Sequence, residues 1–254
     1  MADSDRSEPV REAGSLGLVD QVAHYLRDQV AKEGMRPGAK LPSETTISNT
    51  LGISRPIVRE AMRSLAATGL IQMAVGKRAQ VVPVDGEMIC RVIENALLIG
   101  QADTRDVLEM RRSLEIGMVA LAAERRTETQ AETLKQVCAE MAKCLRSGEA
   151  YSALDLRFHL TLAEATGNPL YILLVEAFRQ TFEASMLVGI ERWSATPELS
   201  RVQALHEAIV DAVVAQDAEA ASAAMRQHFD DALQAIVTPV EQPGREPSRR
   251  KAIA

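Results

Sequence analysis

Four side chains in the second half of the chain are of the types that bind transition metals. His159, His206 and His228 lie in three separate and largely apolar segments, and Asp155 stands four residues before His159. Residues four apart lie on one face of a helix, about one turn from each other, so Asp155 and His159 can point to the same centre. Three imidazoles and one carboxylate inside a helical bundle form a reasonable ligand set for zinc or another divalent first-row metal.

The spacing of these residues leaves other possibilities open. An inward-pointing histidine is more often a hydrogen-bonded core residue than a metal ligand, and three histidines can be three such cases. A bound metal could be purely structural, or it could be catalytic, as in a zinc-dependent hydrolase with Glu207 or Glu164 as the general base. The donor set accepts zinc, which we expect, and also nickel, manganese or iron.

Helical periodicity dominates the chain from residue 85 to residue 238. Apolar residues recur at steps of three and four, and no strand-like alternation occurs between the breaks. Aromatic residues make up only 3% of the chain, a composition that favours packed helices. We therefore predict an all-α antiparallel helical bundle with helices over Gly86–Leu98, Thr104–Arg125, Thr129–Arg146, Ala150–Ala165, Leu170–Arg192, Pro197–Ala215 and Ala218–Val237.

A second pattern of chemical interest runs from Leu41 to Val82. Ser43 and Ser54 stand at the predicted N-caps of two short helices, which Gly52 separates. The second helix has one apolar stripe, and its other face carries three arginines, namely Arg55, Arg59 and Arg63. A solvated charged face is the commoner role of such a stripe, but two helices in this arrangement also place the second one in the major groove of DNA.

A predicted β-hairpin follows the second helix. The apolar runs Leu70–Met73 and Gln80–Val84 are joined by a turn with a basic tip, which includes Gly76 and Lys77. Arginine suits DNA recognition because its fork matches the O6 and N7 acceptors of guanine. We therefore predict a mainly α protein with an N-terminal winged helix-turn-helix, in which the hairpin is a small β wing, followed by the C-terminal bundle.

Positive charge is concentrated around the winged helix. Residues 16–84 contain 9 Lys and Arg against 5 Asp and Glu, whereas residues 85–238 contain 14 against 24. The first region therefore has a net charge of +4 and the second of −10, within a total of −6. Because DNA phosphates respond to the local potential, the acidic total is compatible with DNA binding.

The chain is long enough for two domains. We assign residues 16–84 to the winged helix and residues 85–238 to the bundle, with disordered tails at 1–15 and 239–254 that are polar and charged. No apolar run approaches the roughly 20 residues that cross a bilayer, and the N-terminus lacks the features of a signal peptide. We therefore expect a cytoplasmic protein without a membrane partner.

Residues 16–84 resemble the winged-helix domain of the GntR family of bacterial transcription regulators. The resemblance lies in RPGAKLPSE, in LGISRPIVREAMRSLAATGLI and in the glycine of the wing. It implies that the following residues contact DNA: Ser54, Arg55, Ile57, Arg59, Gly76 and Lys77. One residue departs from the pattern, because Thr45 stands where such regulators often carry an arginine.

Residues 104–235 are similar to the FCD effector domain of the FadR branch of that family. Asp155, His159, His206 and His228 match the metal-binding pattern of this domain position by position. The resemblance implies that the metal helps to hold a small carboxylate effector, such as a sugar acid, a lactate-like acid or a dicarboxylic metabolite.

An arginine in the segment EMRRSLE also matches this domain. Arg111 occupies the position of an arginine that faces the effector cavity, so the resemblance makes it the effector-binding cation. Its alternative role is an exposed ion pair with Glu115, a role that suits Arg112 better. Arg157 and Arg192 are further candidates for the cavity.

Together these patterns predict a ligand-responsive bacterial transcription regulator, a repressor that is not an enzyme. One small winged helix makes few base contacts, so we expect a homodimer that reads a pseudo-palindromic operator with two recognition helices. The hydrolase alternative leaves the basic winged helix unexplained.

Overall fold

The computed structural model describes residues 17–145, 147–178 and 197–237. The chain divides between Met88 and Ile89 into two compact units, which we call the head and the bundle. Both predicted tails, and the part of the predicted helix Leu170–Arg192 beyond residue 178, lie outside the described residues. None of the described helices is both long enough and apolar enough to cross a lipid bilayer.

Three helices and a two-stranded hairpin form the described part of the head. They are α1 Leu18–Lys32, α2 Glu44–Leu51, α3 Arg55–Ala67, β1 Ile71–Gln72 and β2 Gln80–Val81. The strands are antiparallel, with Ile71 opposite Val81, and Lys40 forms an isolated bridge with Gln80. The winged helix-turn-helix prediction is confirmed. The strands are shorter than predicted because pairing continues beyond them only as isolated hydrogen bonds, such as Val82 N to Leu70 O.

Local sequence explains where the two central helices of the head begin. The Ser43 hydroxyl accepts a hydrogen bond from Thr46 N at 3.1 Å and so caps α2, which Gly52 ends in the left-handed conformation at φ 66°. Ser54 has the extended backbone of an N-cap, but its side chain accepts no capping hydrogen bond from α3. Side-chain capping by Ser54 was therefore wrong. The α3 helix is instead held by the burial of its apolar stripe, which consists of Val58, Ala61, Met62 and Leu65.

Helices account for nearly all of the described chain beyond residue 86. They are α4 Glu87–Leu98, α5 Thr104–Arg125, α6 Glu128–Lys143, α7 Gly148–Ala165, α8 over 169–178, α9 Pro197–Val214 and α10 Ala218–Val237. The predicted all-α bundle is confirmed. The largest boundary difference is at α6, which ends at Lys143 because Ser147 N bonds to Cys144 O in a turn that leads into α7.

Long-range packing brings five of these helices around one interior. The α5 helix packs against α7, α9 and α10, and α6 packs against α7 and α9. Large side chains that are fully buried fill this core, among them Met118, Leu134, Phe158 and Phe229. Capping boxes at Asp103 and Thr127 fix the starts of α5 and α6. Side chains that point into the bundle therefore stand on rigid helices.

The two serine N-caps of the head differ in a way that can be measured. Replacing Ser43 with alanine removes a capping hydrogen bond, so we expect it to lower the opening free energy of α2 by about 1 kcal/mol. Ser54→Ala is the matched control, because Ser54 makes no such bond, and its effect should be clearly smaller. Amide hydrogen exchange of peptides from residues 44–67, followed by mass spectrometry, measures both. Equal losses in the two variants would contradict the assignment.

Candidate functional site

The three histidines of the bundle meet in its interior. His159 lies on α7, His206 on α9 and His228 on α10, with residual exposures of 1%, 0% and 8%. One donor atom from each ring lies within 4.8 Å of those of the other two. The histidine pattern of the sequence thus corresponds to one cluster rather than to three separate core positions.

Asp155 lies beside this histidine cluster. Its Oδ2 is 3.7 Å from His159 Nε2, one helical turn away, and its Oδ1 is 3.0 Å from His206 Nε2. The carboxylate therefore contacts two of the three imidazoles. The three histidines alone form the set of described residues here whose donor atoms all lie mutually within 4.8 Å, and Asp155 flanks this set.

Several polar atoms of the cluster have no well-directed hydrogen bond to a described group. They are both carboxylate oxygens of Asp155, His206 Nε2 and His228 Nδ1. Buried polar atoms are almost always satisfied in native proteins, so their accumulation at one point indicates a ligand that engages several donors together. Zinc binds nitrogen at about 2.0–2.1 Å and accepts imidazole and carboxylate ligands, so the chemistry of this donor set fits a divalent metal.

The electrostatics of the cluster favour the forms that bind metals. Burial lowers the pKa of His228, and the adjacent His206 and His159 lower it further, well below its usual range. The neutral imidazole that results is the metal-binding form. Burial raises the pKa of Asp155, but the close contact with His206 Nε2 and the charges of the neighbouring histidines outweigh burial and lower this pKa to about 2. Asp155 is therefore a carboxylate anion.

Arg111 is buried rather than exposed, and its partner is buried with it. Its Nε donates to Glu115 Oε1 at 2.8 Å, and the two side chains are 4% and 0% exposed. The alternative of an exposed pair was therefore right about the partner and wrong about the environment, because this face of α5 packs inside the bundle. The guanidinium also lies 5.2 Å from the centre of the Phe229 ring, next to His228.

Glu115 is the residue of this site that sequence reasoning missed. Its Oε2 contacts His159 Nδ1, so it joins Arg111 to the histidine cluster. Burial raises the pKa of Glu115, but Arg111 and His159 outweigh burial and lower it to about 2. Its four-residue spacing from Arg111, which places both side chains on one face of α5, was the available signal.

A second polar chain adjoins the histidine cluster. The Tyr151 hydroxyl lies 3.3 Å from His206 Nδ1 and 3.5 Å from Gln203 Oε1. Burial, with a contribution from Asp155, raises the pKa of Tyr151, so its hydroxyl stays protonated. Phe158 packs edge-on against His206, with ring centres 4.8 Å apart, and shields this side of the cluster from water.

Three further candidates from the sequence, Glu207, Glu164 and Arg157, are exposed on the bundle. Glu207 and Glu164, the bases of the hydrolase alternative, are both exposed, so neither faces the buried histidines. Arg157 is exposed as well, and Arg192 lies outside the described residues. Arg112 pairs with Asp230 of α10 at 2.7 Å rather than with Glu115. The expectations for the four described residues depended on helix faces, which tertiary packing decides.

The α3 helix, which we call the recognition helix, exposes Arg55 and Arg59 beside the carboxylate of Glu44. Arg59 donates to both oxygens of Glu44, with its shortest contact at 2.7 Å, and Arg55 lies 4.0 Å from the same group. The hydrogen bond from Arg59 lowers the pKa of Glu44, which therefore stays ionised. Arg63 contacts Glu60 one turn away at 3.4 Å.

A groove of about 680 Å³ runs between the recognition helix and the wing. Its lining includes Thr45, Arg55, Arg59, Gly76 and Lys77. Ser54 and Lys77 are exposed, and Gly76 has a φ of 72°, which the tight turn of the wing requires.

Two side chains near this groove make contacts within the head itself. Ile57 is half-buried and packs against the core of the head. The Arg78 side chain donates to Leu41 O at 2.8 Å, so the basic tip of the wing depends on Lys77 more than the sequence suggested.

Two family models match this chain. Residues 18–81 match the model described as "Bacterial regulatory proteins, gntR family", and residues 106–231 match the model described as "FCD domain". The first match covers the helices and wing of the head. The second covers the helices that carry the histidine cluster.

Curated relatives and a solved structure agree with these matches. The chain is 34% identical over 203 residues to the HTH-type transcriptional regulator LutR of Bacillus subtilis, which covers 77% of this chain and 90% of LutR. It is 27% identical over 227 residues to the HTH-type transcriptional repressor NanR of Enterobacter sp. (strain 638), covering 84% and 83% of the two chains. A Streptococcus agalactiae GntR structure shares the fold, with a TM-score of 0.66 and 24% identity over 85% of this chain and 99% of that chain.

The histidine cluster should bind zinc in preference to other histidines of the chain. Zinc at roughly 100 times its Kd should add about 2.7 kcal/mol to the stability of chelator-treated protein, as measured by thermal unfolding. His206→Ala removes one imidazole of the cluster and should abolish most of this gain. His24→Ala is the control, because His24 is exposed on α1 in the head. A full zinc response in the His206 variant would show that the cluster is not the site.

Proposed function

This chain belongs to the GntR family of bacterial transcription regulators, and from that premise we propose that it binds operator DNA as a homodimer and senses a small carboxylate at a metal centre. The observation that carries the proposal is the convergence of three buried histidines beside a buried arginine. Its relatives are regulators, and the exposed positions of Glu207 and Glu164 remove the bases on which a hydrolase would depend.

We assign DNA recognition to the groove between the recognition helix and the wing. Arg55 and Arg59 are exposed at the start and in the first turns of α3, where side chains of a recognition helix meet base edges. Ser54 and Ile57 lie near the bases or phosphates in this proposal, with Ile57 setting the packing of the helix. Gly76 and Lys77 would bring the wing to the minor groove. Thr45, which stands where such regulators often carry an arginine, would make a shorter contact with DNA than an arginine does.

Two heads are needed for selective binding. Each bidentate arginine contact discriminates by about 1–3 kcal/mol, and one head offers few of them. A two-fold dimer places two recognition helices one turn of DNA apart and doubles that discrimination. We therefore propose a pseudo-palindromic operator.

The metal would be held by His159, His206 and His228, with Asp155 as a carboxylate ligand. We propose zinc, because its preferred ligands are imidazole and carboxylate. A bound dication supplies a strong electrostatic attraction for an anionic effector and polarises its oxygen atoms.

Charge balance supports a carboxylate effector. Among the described buried residues, those with a formal charge are Arg111, Glu115 and Asp155. A dication at the histidine cluster would leave one positive charge without a partner, and buried charge is costly unless it is compensated. One carboxylate compensates it, and Arg111 can hold a second acceptor beside Glu115 because arginine carries five N–H donors. The charge balance therefore favours monocarboxylates, such as lactate-like acids and sugar acids, over dicarboxylates.

Effector binding would act on the operator through the difference in its affinity for two states of the dimer. One relative is named as a repressor, and that name supports our prediction that this chain represses transcription. In this proposal the effector favours the state with lower operator affinity.

Loss of Arg59 should weaken recognition of a specific sequence. Arg59→Ala removes one bidentate base contact, so we expect a loss of about 1–3 kcal/mol in affinity, or roughly fivefold to 150-fold. The probes are duplexes selected by the wild-type protein from a random-sequence library, and binding is measured by fluorescence anisotropy. Arg105→Ala is the charge-matched control in the bundle and should bind normally. Unchanged affinity in the Arg59 variant, with unchanged thermal unfolding, would refute the assignment of the recognition helix.

Effector binding should depend on both the metal and Arg111. We expect a monocarboxylate from a panel of lactate, gluconate, glucuronate and succinate to stabilise the zinc-loaded protein by about 2.7 kcal/mol at roughly 100 times its Kd. Chelation and Arg111→Met should each abolish this shift in thermal unfolding. Arg112→Met is the control, because Arg112 pairs with Asp230 instead. A shift that survives chelation would exclude a metal-assisted sensor, and a large loss on chelation without any ligand response would indicate a structural metal.

A further inference from the structure

The buried carboxylate of Glu115 lies between two side chains that have separate tasks in the proposed function. Its Oε1 accepts a hydrogen bond from Arg111 Nε at 2.8 Å, and its Oε2 contacts His159 Nδ1. Its side chain has no exposure to solvent. One carboxylate on α5 therefore touches both the arginine proposed for the effector and a histidine proposed for the metal.

The contact with Nδ1 decides which nitrogen of His159 is left for a metal. A neutral imidazole has one N–H and one nitrogen lone pair. When Nδ1–H donates to Glu115, the lone pair is on Nε2, the nitrogen that lies 3.7 Å from Asp155 Oδ2. Metal-binding histidines are commonly oriented in this way by a carboxylate on the other ring nitrogen.

We propose that Glu115 is a positioning residue, which fixes the tautomer and ring orientation of His159 for metal binding and anchors Arg111 at the same centre. This inference rests on the metal centre of the proposed function. It assigns a role to a residue that is not itself a ligand, and it gives the metal site and the effector-binding arginine one common anchor on α5.

Zinc affinity of the full chain tests the inference without any effector. We expect Glu115→Gln to weaken zinc binding by roughly 10-fold to 100-fold, the usual cost of losing such an orienting group. Competition with a coloured chelator measures the affinity. Glu109→Gln is the matched control, because Glu109 stands on the same helix and pairs with Arg105 in an exposed ion pair. This control should bind zinc as the wild type does.

A second variant separates positioning from simple loss of charge. Arg111→Met combined with Glu115→Met removes both members of the buried pair, so the net charge near the metal is unchanged and no unpaired charge hinders folding. We expect this double variant to lose at least about tenfold in zinc affinity, since it also lacks the acceptor for His159. The visible absorption of the cobalt(II) form should change in both Glu115 variants and stay the same in Glu109→Gln.

The possible outcomes distinguish a failure of this inference from a failure of the proposed metal centre. Wild-type zinc affinity and an unchanged cobalt spectrum in both Glu115 variants would overturn the role of Glu115 and leave the metal centre standing. A wild-type protein that binds zinc no better than His206→Ala would overturn the metal centre and this inference together. A purely structural Glu115 would lower the thermal stability of the chelated protein without moving either metal readout.

Discussion

The cost of burying charge is the constraint on which the bundle depends. Two carboxylates and one guanidinium lie inside it, and an uncompensated charge in such an interior is strongly destabilising. Each is therefore held by contacts from other side chains: Arg111 by Glu115 and Phe229, and Asp155 by His206 and His159. Apolar packing of α5, α7, α9 and α10 holds these groups together on rigid elements, and under the proposed function that rigidity preorganises the site for a metal and an effector.

In the head, by contrast, the arginines of the recognition helix are exposed to solvent. Arg55 and Arg59 are exposed and paired with Glu44, so each contact is made in water and is weak enough to be exchanged. DNA binding in our proposal replaces the Glu44 carboxylate with base edges and phosphates as partners of Arg59. In the free protein the carboxylate of Glu44 holds the Arg59 guanidinium through contacts to both of its oxygens.

Sequence was a good guide to the helices because apolar periodicity, caps and glycines are local signals. Gly52 and Ser43 act as predicted, and all the described bundle helices begin within a few residues of their expected positions. The histidines could be singled out because imidazoles are rare in apolar helices. What failed depended on distant partners: which helix supplies the partner of Arg112 is decided by packing between α5 and α10. Glu115 could not be connected to His159 from sequence, since its second contact lies on α7.

His228 stands on α10, the final helix of the described chain, whereas the head lies at its beginning. During synthesis at roughly 5–20 residues per second, the recognition helix leaves the ribosome several seconds before His228 does. A nascent or truncated chain can therefore display its arginines to DNA before it is able to hold metal. Under the proposed function, the chain can respond to its effector only after translation has passed residue 228 and α10 has packed into the bundle. Premature termination upstream of that residue would therefore yield a protein that does not bind its effector.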